Sequence, residues 1–566
     1  MISLRHLYGG YNMSDNIAIK IVGGKDVIIP KATTLLDLSK DHSHTRPLPI
    51  LVATVDNELQ DLSRQLLTDS TVEFLDISDP NGFRTYQRSL TFLMIYAAKS
   101  VLGKKTRVTV IHSINKNYYC ELPDHNEPSE ELLAEIEAVM REAISKDIPI
   151  QKFALQKEAA LSLAAEFGLD DKIKMLKYHH NLTVSFYKLD WFYNYFYGEM
   201  APSTACLGQF KLHKRSKGFM LQFPDVSLGY DFATLPKNTK ISEVFEESNQ
   251  WARIVGADTV GSLNDNLCKS GNGTIIRIAE ALHEKKVALL ADRIINEHRR
   301  IVLIAGPTSS GKTTFAARLS TQLRAAGAVP SVIGLDNYYH DRGDGRIPRD
   351  EFGNEDYETI KAIDTALITN NLQALLKGEQ VEIPSFNFLT GKREYKGRHM
   401  QLAPHDVLIL EGIHGLNDEI SCGISSNDKF KIFISALTQI NLDDHNRIPT
   451  TDTRLVRRIV RDYQYRGTTA KDTIDRWPSV LRGEKKYIYP HQEAADAFFN
   501  SALVYEMCVL KQYAEPLLYD ITPEAPQYTE ARRLIKFLSS FLCIPSENIP
   551  VNSILREFVG GSCFSH

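Results

Sequence analysis

Cysteine is scarce and scattered: seven residues, at positions 120, 206, 268, 422, 508, 543 and 563, none of them in a C-x-x-C pair. An odd, dispersed set supplies neither a disulfide framework nor a zinc knuckle, and it fits a reducing compartment. Long apolar runs are missing too. The longest, Leu90 to Ala98, is half the ~18 residues needed to span a bilayer. There is no surplus of positive charge, since 66 Lys and Arg against 70 Asp and Glu leave a net −4. That balance gives no global attraction to nucleic acid or to an anionic membrane. The first residues, M-I-S-L-R-H-L-Y-G-G-Y-N, lack the apolar core of a signal peptide, so a cytoplasmic location is expected. Residues 1–15 read as a disordered extension, with Met13 an alternative start. Internal repeats and low-complexity tracts are absent as well. At 566 residues the chain exceeds one hydrophobic core and predicts about two to four domains.

What is present is a phosphate-binding loop. Gly306, Pro307, Thr308, Ser309, Ser310, Gly311, Lys312, Thr313 and Thr314 follow the apolar run I-V-L-I-A and precede the helix-like F-A-A-R-L. Glycines let the backbone curl so that successive N–H groups converge on phosphate oxygens, and the helix N-terminus adds partial positive charge there. In such a loop the lysine reaches the β- and γ-phosphates and the hydroxyl after it ligates Mg²⁺, here Lys312 and Thr313. The pattern predicts binding of a nucleoside triphosphate.

Around the loop, strand and helix patterns alternate from Ile301 to about Tyr519: P-S-V-I-G-L-D, D-V-L-I-L-E-G and K-I-F-I-S. This predicts an α/β domain of the P-loop NTPase type, a parallel sheet with helices on both faces and ligands at the strands' carboxyl ends. Residues 16–77 instead show short, alternating strands around a helix at 32–40. The stretch 80–225 mixes helices at 86–102, 128–146 and 156–167 with a hairpin. Its aromatic span F-Y-K-L-D-W-F-Y-N-Y-F-Y serves either core packing or base stacking. Residues 236–300 read as polar helix leading into the P-loop domain, and the tail carries a helix at 530–542.

Two strand ends bring carboxylates to the loop. Asp336 can accept or orient a substrate hydroxyl's proton, or else cap a helix. Glu411 can hold Mg²⁺ directly or through water, or else form a surface ion pair. In D-T-R-L-V-R-R-I-V-R-D, Arg454, Arg458 and Arg461 share one helix face, suited either to stabilising a transferring phosphoryl group or to lying in solvent.

The succession G-P-T-S-S-G-K-T-T, L-D-N-Y-Y, I-P-S-F-N-F, L-I-L-E-G-I and D-T-R-L-V-R-R-I-V-R-D resembles the uridine kinase and phosphoribulokinase family over about Ile301 to Tyr519. The resemblance implies ATP- and Mg²⁺-dependent phosphorylation of a small-molecule hydroxyl. It places Lys312 and Thr313 at the triphosphate and metal, Asp336 as base, and Arg454 and Arg458 on a mobile lid. Substrate contacts fall on Asp336, Tyr338, Asp356, Phe386 and Asn387. The family's pyrimidine-contacting Tyr, Asp and His are replaced here by Phe386, Asn387 and Gly391. Buried hydrogen bonds carry base discrimination, so their loss relaxes or redirects it. The acceptor is therefore open between a uridine- or cytidine-like nucleoside and another alcohol, of the phosphoribulokinase or pantothenate kinase kind.

Residues 16 to 224 resemble the front of threonyl-tRNA synthetases, a ubiquitin-like TGS module followed by an editing-type domain. The editing helix's H-x-x-x-H is missing, since Arg88 to Phe92 stand there, and Phe196 and Met200 replace the later cysteine and histidine. His179 and His180, read on a strand, point to opposite faces and do not make a metal site. The expected organisation is an extension at 1–15, a TGS-like module at 16–79, a non-catalytic editing-like domain at 80–225, a helical connector at 226–300, the kinase domain at 301–520 and a helical tail at 521–566. RNA, a small ligand or a second copy of the chain remain open as partners of the front region. An RNA-binding regulatory ATPase is the reading from another class.

Overall fold

The computed structural model describes residues 16–43, 48–125, 127–235, 240–350 and 353–564, so the expected N-terminal extension lies outside the described residues. The chain divides into two compact units. One comprises Met1–Leu235, Leu442–Arg447 and Ile521–Arg533, the other Pro236–Asn441, Ile448–Asp520 and Leu534–His566.

The N-terminal unit begins with a five-stranded mixed sheet. Asn16–Ile21 lies between Val27–Pro30 and Ser70–Leu75, and Val52–Val55 and Glu58–Gln60 complete it. The alternation in N-I-A-I-K-I buries Ile17, Ile19 and Ile21 against Leu35 and Leu38 of the helix Leu35–Ser43. After it comes the helix Pro80–Leu102. Asp79 caps it by accepting from the N–H groups of Asn81 and Gly82, and Pro80 occupies its first position. Its Phe92 packs on Phe192 and Phe196 at ring distances of 5.4 Å each. The aromatic span is thus core: Phe186 and Phe192 have no exposure and Phe196 has 2%. One placement differs from the sequence reading. His179 and His180 lie in an irregular segment after the helix Asp170–Lys177, because the helix ends there and the next strand starts only at Thr183.

The second unit is built on five parallel strands: β1 (Ile301–Ala305), β2 (Pro330–Gly334), β3 (Val407–Glu411), β4 (Lys429–Ser435) and β5 (Ala497–Asn500), in the order β2-β3-β1-β4-β5. Every residue of β1 is buried, which is why its sequence is a continuous apolar run and not an alternation. Ile301 and Leu303 face Leu372 and Leu375 of the helix Thr365–Leu376. On the opposite face, helix α1 (Lys312–Ala325) sets Phe315 on Phe499 of β5 at 4.6 Å. Each fully buried aliphatic side chain contributes about 1.5–3 kcal/mol, so this sandwiched sheet is the unit's stable frame. Helix α2 (Thr450–Arg466) ends at Gly467 in the left-handed conformation. No helix among the described residues is long and apolar enough to cross a membrane.

Candidate active site

The strand register sets the site. Glu411, the last residue of β3, is level with Ile304 of β1 on one side and with Gly334 of β2 on the other. The P-loop leaves β1 just past Ile304, and Asp336 sits in the turn just past Gly334. Three neighbouring strand ends therefore converge, as parallel sheets place their ligands. At Gly306 a side chain is impossible, because a Cβ there would lie 2.1 Å from the Ile434 carbonyl oxygen. Ser309 and Gly311 both take positive φ, 57° and 81°, to curl the loop around the start of α1. The buried hydroxyls of Ser309 and Ser310 have no hydrogen-bond partner among the described residues.

Lys312 is the electrostatic centre. Burial lowers its pKa against the opposing pull of Glu411, Asp336 and Glu557, and Arg461 lowers it further. Its ammonium donates to the Pro307 carbonyl at 3.2 Å. Glu411 is pushed up to about 7 by burial and by Asp336, although Lys312 and Thr313 pull it down. The Thr313 hydroxyl donates to Glu411 Oε1 at 3.0 Å, which brings the two proposed metal ligands side by side. Among the described residues there is no group of three His, Cys, Asp or Glu able to hold a metal by itself. Mg²⁺ at triphosphate sites commonly uses one or two protein oxygens together with phosphates and water, so this pair is a sufficient protein share.

Helix α2 divides the arginines that the sequence reading placed together on one helix face. Arg454 has no exposure. It pairs with the buried Glu484 and donates from Nε to the Thr308 carbonyl at 3.0 Å and from Nη1 to the Tyr489 hydroxyl at 3.2 Å. A mobile-lid role for Arg454 is corrected on this ground: its guanidinium braces the outer wall of the P-loop, and a buried charge cannot leave its partner cheaply. Arg457, which the sequence reading passed over, does the same on the next turn of loop. It is fully buried, pairs with Glu506 and donates to the Ser309 carbonyl at 3.3 Å. Arg458 and Arg461 remain part-exposed, at 14% and 13%, and share Asp462.

The acceptor side also needs correction. Tyr338 is 1% exposed and its hydroxyl accepts from Asn371 Nδ2 at 3.1 Å, so it belongs to the core beneath the site. Phe386 is buried, edge-on to Tyr339 at 5.7 Å. Asn387 is spent on its own hairpin: Oδ1 accepts from the N–H groups of Leu389 and Thr390, and Nδ2 donates to Glu394. Gly391 closes that hairpin at φ 70°, where a Cβ would lie 2.4 Å from Arg342 Cδ. Asp356 alone of this group keeps a part-exposed carboxylate, with Oδ2 3.4 Å from the Tyr487 hydroxyl. Beside it Glu358 is pushed up to about 7, by burial first and then by Glu484.

Glu484, Glu506 and Glu557 were missed because their partners are far along the chain. Glu557 lies 243 residues from Thr314, yet its Oε2 accepts from the Thr314 hydroxyl at 2.8 Å and from its N–H at 3.4 Å. A carboxylate thus sits on an N-terminal amide of α1, where helices attract anions.

The sequence profile of the Phosphoribulokinase / Uridine kinase family matches residues 301–506. A uridine kinase of Halobacterium salinarum is 32% identical over 194 residues, 34% of this chain and 76% of that protein. The chain belongs to this family. It is accordingly a kinase, and the β1–β5 sheet carries the family's domain. A uridine kinase of Deinococcus deserti is 29% identical over 197 residues, covering 84% of its length. A threonine–tRNA ligase of Carboxydothermus hydrogenoformans is 27% identical over 197 residues, 35% of this chain and 31% of the ligase; it is similar to the front region. The kinase domain is thus fused to a synthetase-like front without the editing ligands, and the chain spans about a third of that ligase. A solved structure described as a possible uridine kinase from Bacillus stearothermophilus aligns over 38% of this chain and 98% of its own, at 20% identity and a TM-score of 0.27. The fold assignment rests on sheet order and P-loop, not on that likeness.

Proposed function

We propose that the chain transfers the γ-phosphoryl group of ATP to the 5′-hydroxyl of a nucleoside. The observation that carries this reading is the convergence of Asp336, Glu411 and the P-loop around Lys312 at three adjacent strand ends. The donor set suits Mg·ATP: hydroxyls of Ser309 and Ser310 without a hydrogen-bond partner among the described residues, a desolvated lysine, and a Thr313–Glu411 pair of oxygen ligands in which burial and Asp336 disfavour the carboxylate charge that a cation would restore. Magnesium, held by Thr313 and Glu411, would neutralise phosphate charge during transfer. In this reading Asp336 orients the acceptor hydroxyl and takes its proton, Asp356 holds the sugar, and Arg458 with Arg461 faces the transferring group. Residues 16–79 and 80–225 serve as TGS-like and editing-like modules without hydrolytic chemistry.

A second acceptor class is favoured by one specific feature. Tyr338, Phe386 and Asn387 are all committed internally, which leaves no base-reading set at those positions. A sugar-like or pantothenate-like alcohol needs none. Asp336→Asn tests the role common to both: transfer should fall by about 10²–10⁴-fold while Mg·ADP affinity stays within about twofold. Equal activity of variant and wild type would remove Asp336 from the chemistry.

A further inference from the structure

The tail 551–563 lies beyond the residues that the family profile matches, yet it is built onto the phosphate cradle. The Cys563 N–H donates to the Val551 carbonyl at 2.9 Å and closes the tail into a loop. Ser553, Ile554, Leu555 and Phe558 have no exposure, so the backbone of this loop is seated in the core of the kinase unit. Arg556 fixes it further, donating through Nη2 to the carbonyls of Ser546 and Ile549 at 2.9 and 2.7 Å. Two contacts reach the nucleotide machinery. A Cβ at Gly311 would lie 2.6 Å from Ile554 Cγ2, so that side chain rests against the P-loop glycine. The Phe558 ring lies 5.0 Å from the guanidinium of Arg457, which itself holds the Ser309 carbonyl.

From this fixed frame Glu557 is presented to the start of α1. Its side chain is part-exposed, and Oε2 accepts from the Thr314 hydroxyl at 2.8 Å and from the Thr314 N–H at 3.4 Å. Its charge is felt across the cradle. It opposes the burial that lowers Lys312, and it adds to burial and Asp336 in raising Glu411. It also adds to burial in raising the Tyr465 hydroxyl, at the end of α2. Phosphate binding rewards positive charge at a helix N-terminus, and a carboxylate anchored there works against it. The penalty is not the same for every phosphate ligand. Repulsion grows with the charge of the ligand, and Mg²⁺ cancels about two of the roughly three negative charges on ADP.

We propose that Glu557 is a specificity-determining residue of the nucleotide site: its carboxylate, held on Thr314 by the anchored tail, selects the magnesium-complexed nucleotide over the free one. The inference rests on the P-loop reading and not on any acceptor. Because the backbone on both sides is fixed, Glu557 yields to an incoming phosphate by side-chain rotation alone.

The test uses the full chain and calorimetric titration with ADP, once with Mg²⁺ in excess and once with the metal chelated by EDTA. The ratio of the two dissociation constants is the preference for the magnesium form. Glu557→Gln keeps the shape and an oxygen able to accept from Thr314 but removes the charge. In it free ADP should bind about thirty- to hundredfold more tightly and Mg·ADP about three- to tenfold, so the preference falls by about tenfold. Glu547→Gln, which removes an exposed carboxylate just before this tail, should leave the preference within about twofold of wild type. A wild-type preference in Glu557→Gln would overturn the proposal. An equal fall in Glu547→Gln would overturn it as well, by tracing the effect to net charge. Weaker binding of both forms in Glu557→Gln would overturn it too, and would make the tail a supporting wall. Because the readout is ADP binding, a chain that shows these shifts but phosphorylates no nucleoside refutes only the acceptor assignment. A wild type that binds ADP in neither form overturns the P-loop reading and this proposal together.

Discussion

At the scale of single residues the site is a contest over charge. Lys312 is the cation that Asp336, Glu411 and Glu557 share, and only two of those carboxylates were foreseeable. Asp336 and Glu411 each end an apolar strand within a recognisable motif, whereas Glu557 stands in an unremarked tail and reaches Thr314 only through the fold. Its carboxylate occupies an amide that a phosphate would otherwise favour. Glu557→Gln should therefore tighten Mg·ADP binding by about three- to tenfold, on the order of 1 kcal/mol for one charge at a helix terminus. Calorimetry checks it, and weaker binding in the variant would make Glu557 a supporting wall and not a competitor. The acceptor positions were the least legible. The family pattern points to Tyr338, Phe386 and Asn387, but the pattern names positions, and only packing decides whether a side chain faces ligand or core.

At the scale of elements, α2 separates two kinds of arginine that helical spacing had grouped together. Spacing places Arg454, Arg458 and Arg461 near one another but says nothing of which elements flank the helix. The neighbours are Glu484 and Glu506, which claim Arg454 and Arg457 for the P-loop wall. Trp477 lies under both Arg454 and Arg458, at 5.4 and 6.0 Å from its ring. The consequence is a contrast between adjacent positions. Arg457→Met leaves Glu506 buried without its cation and should cost about 3–5 kcal/mol in urea unfolding. Arg458→Met leaves Asp462 its second partner, Arg461, and should cost less than Arg457→Met, about 1–2 kcal/mol, yet lower kcat by about tenfold or more. Four strands of the sheet, β1 to β4, were readable, since each is an apolar run beside a recognisable motif, whereas the four-residue edge strand β5, A-F-F-N, is too short to stand out.

At the scale of the whole molecule the chain crosses between its units more often than linear reading allows. Segments Leu442–Arg447 and Ile521–Arg533 belong to the N-terminal unit although the sequence around them belongs to the kinase unit. Neither excursion has a local signal, because what marks it is a set of partners hundreds of residues away. One such anchor makes a pH prediction. Burial alone would raise the pKa of Glu530, but Arg533 and Arg84 outweigh it and hold the carboxyl well below the usual range. A depressed folded-state pKa contributes stability that is complete above the unfolded value, about 4.3, and drains away as pH falls below it. Glu530→Gln should thus lower the N-terminal unit's stability by about 2 kcal/mol at neutral pH, and the gap from wild type should close progressively in acid. A gap that persists unchanged at low pH would assign the loss to packing and not to charge.

Phosphorylation of a nucleoside hydroxyl is the activity proposed for this P-loop kinase. The most direct measurement is transfer of label from γ-labelled ATP, with Mg²⁺ and the pure full chain, to a panel of ribo- and deoxyribonucleosides, with sugar alcohols and pantothenate in parallel. A labelled nucleoside 5′-monophosphate is expected for at least one nucleoside. Label appearing only in a non-nucleoside alcohol, or only as free phosphate, would contradict it.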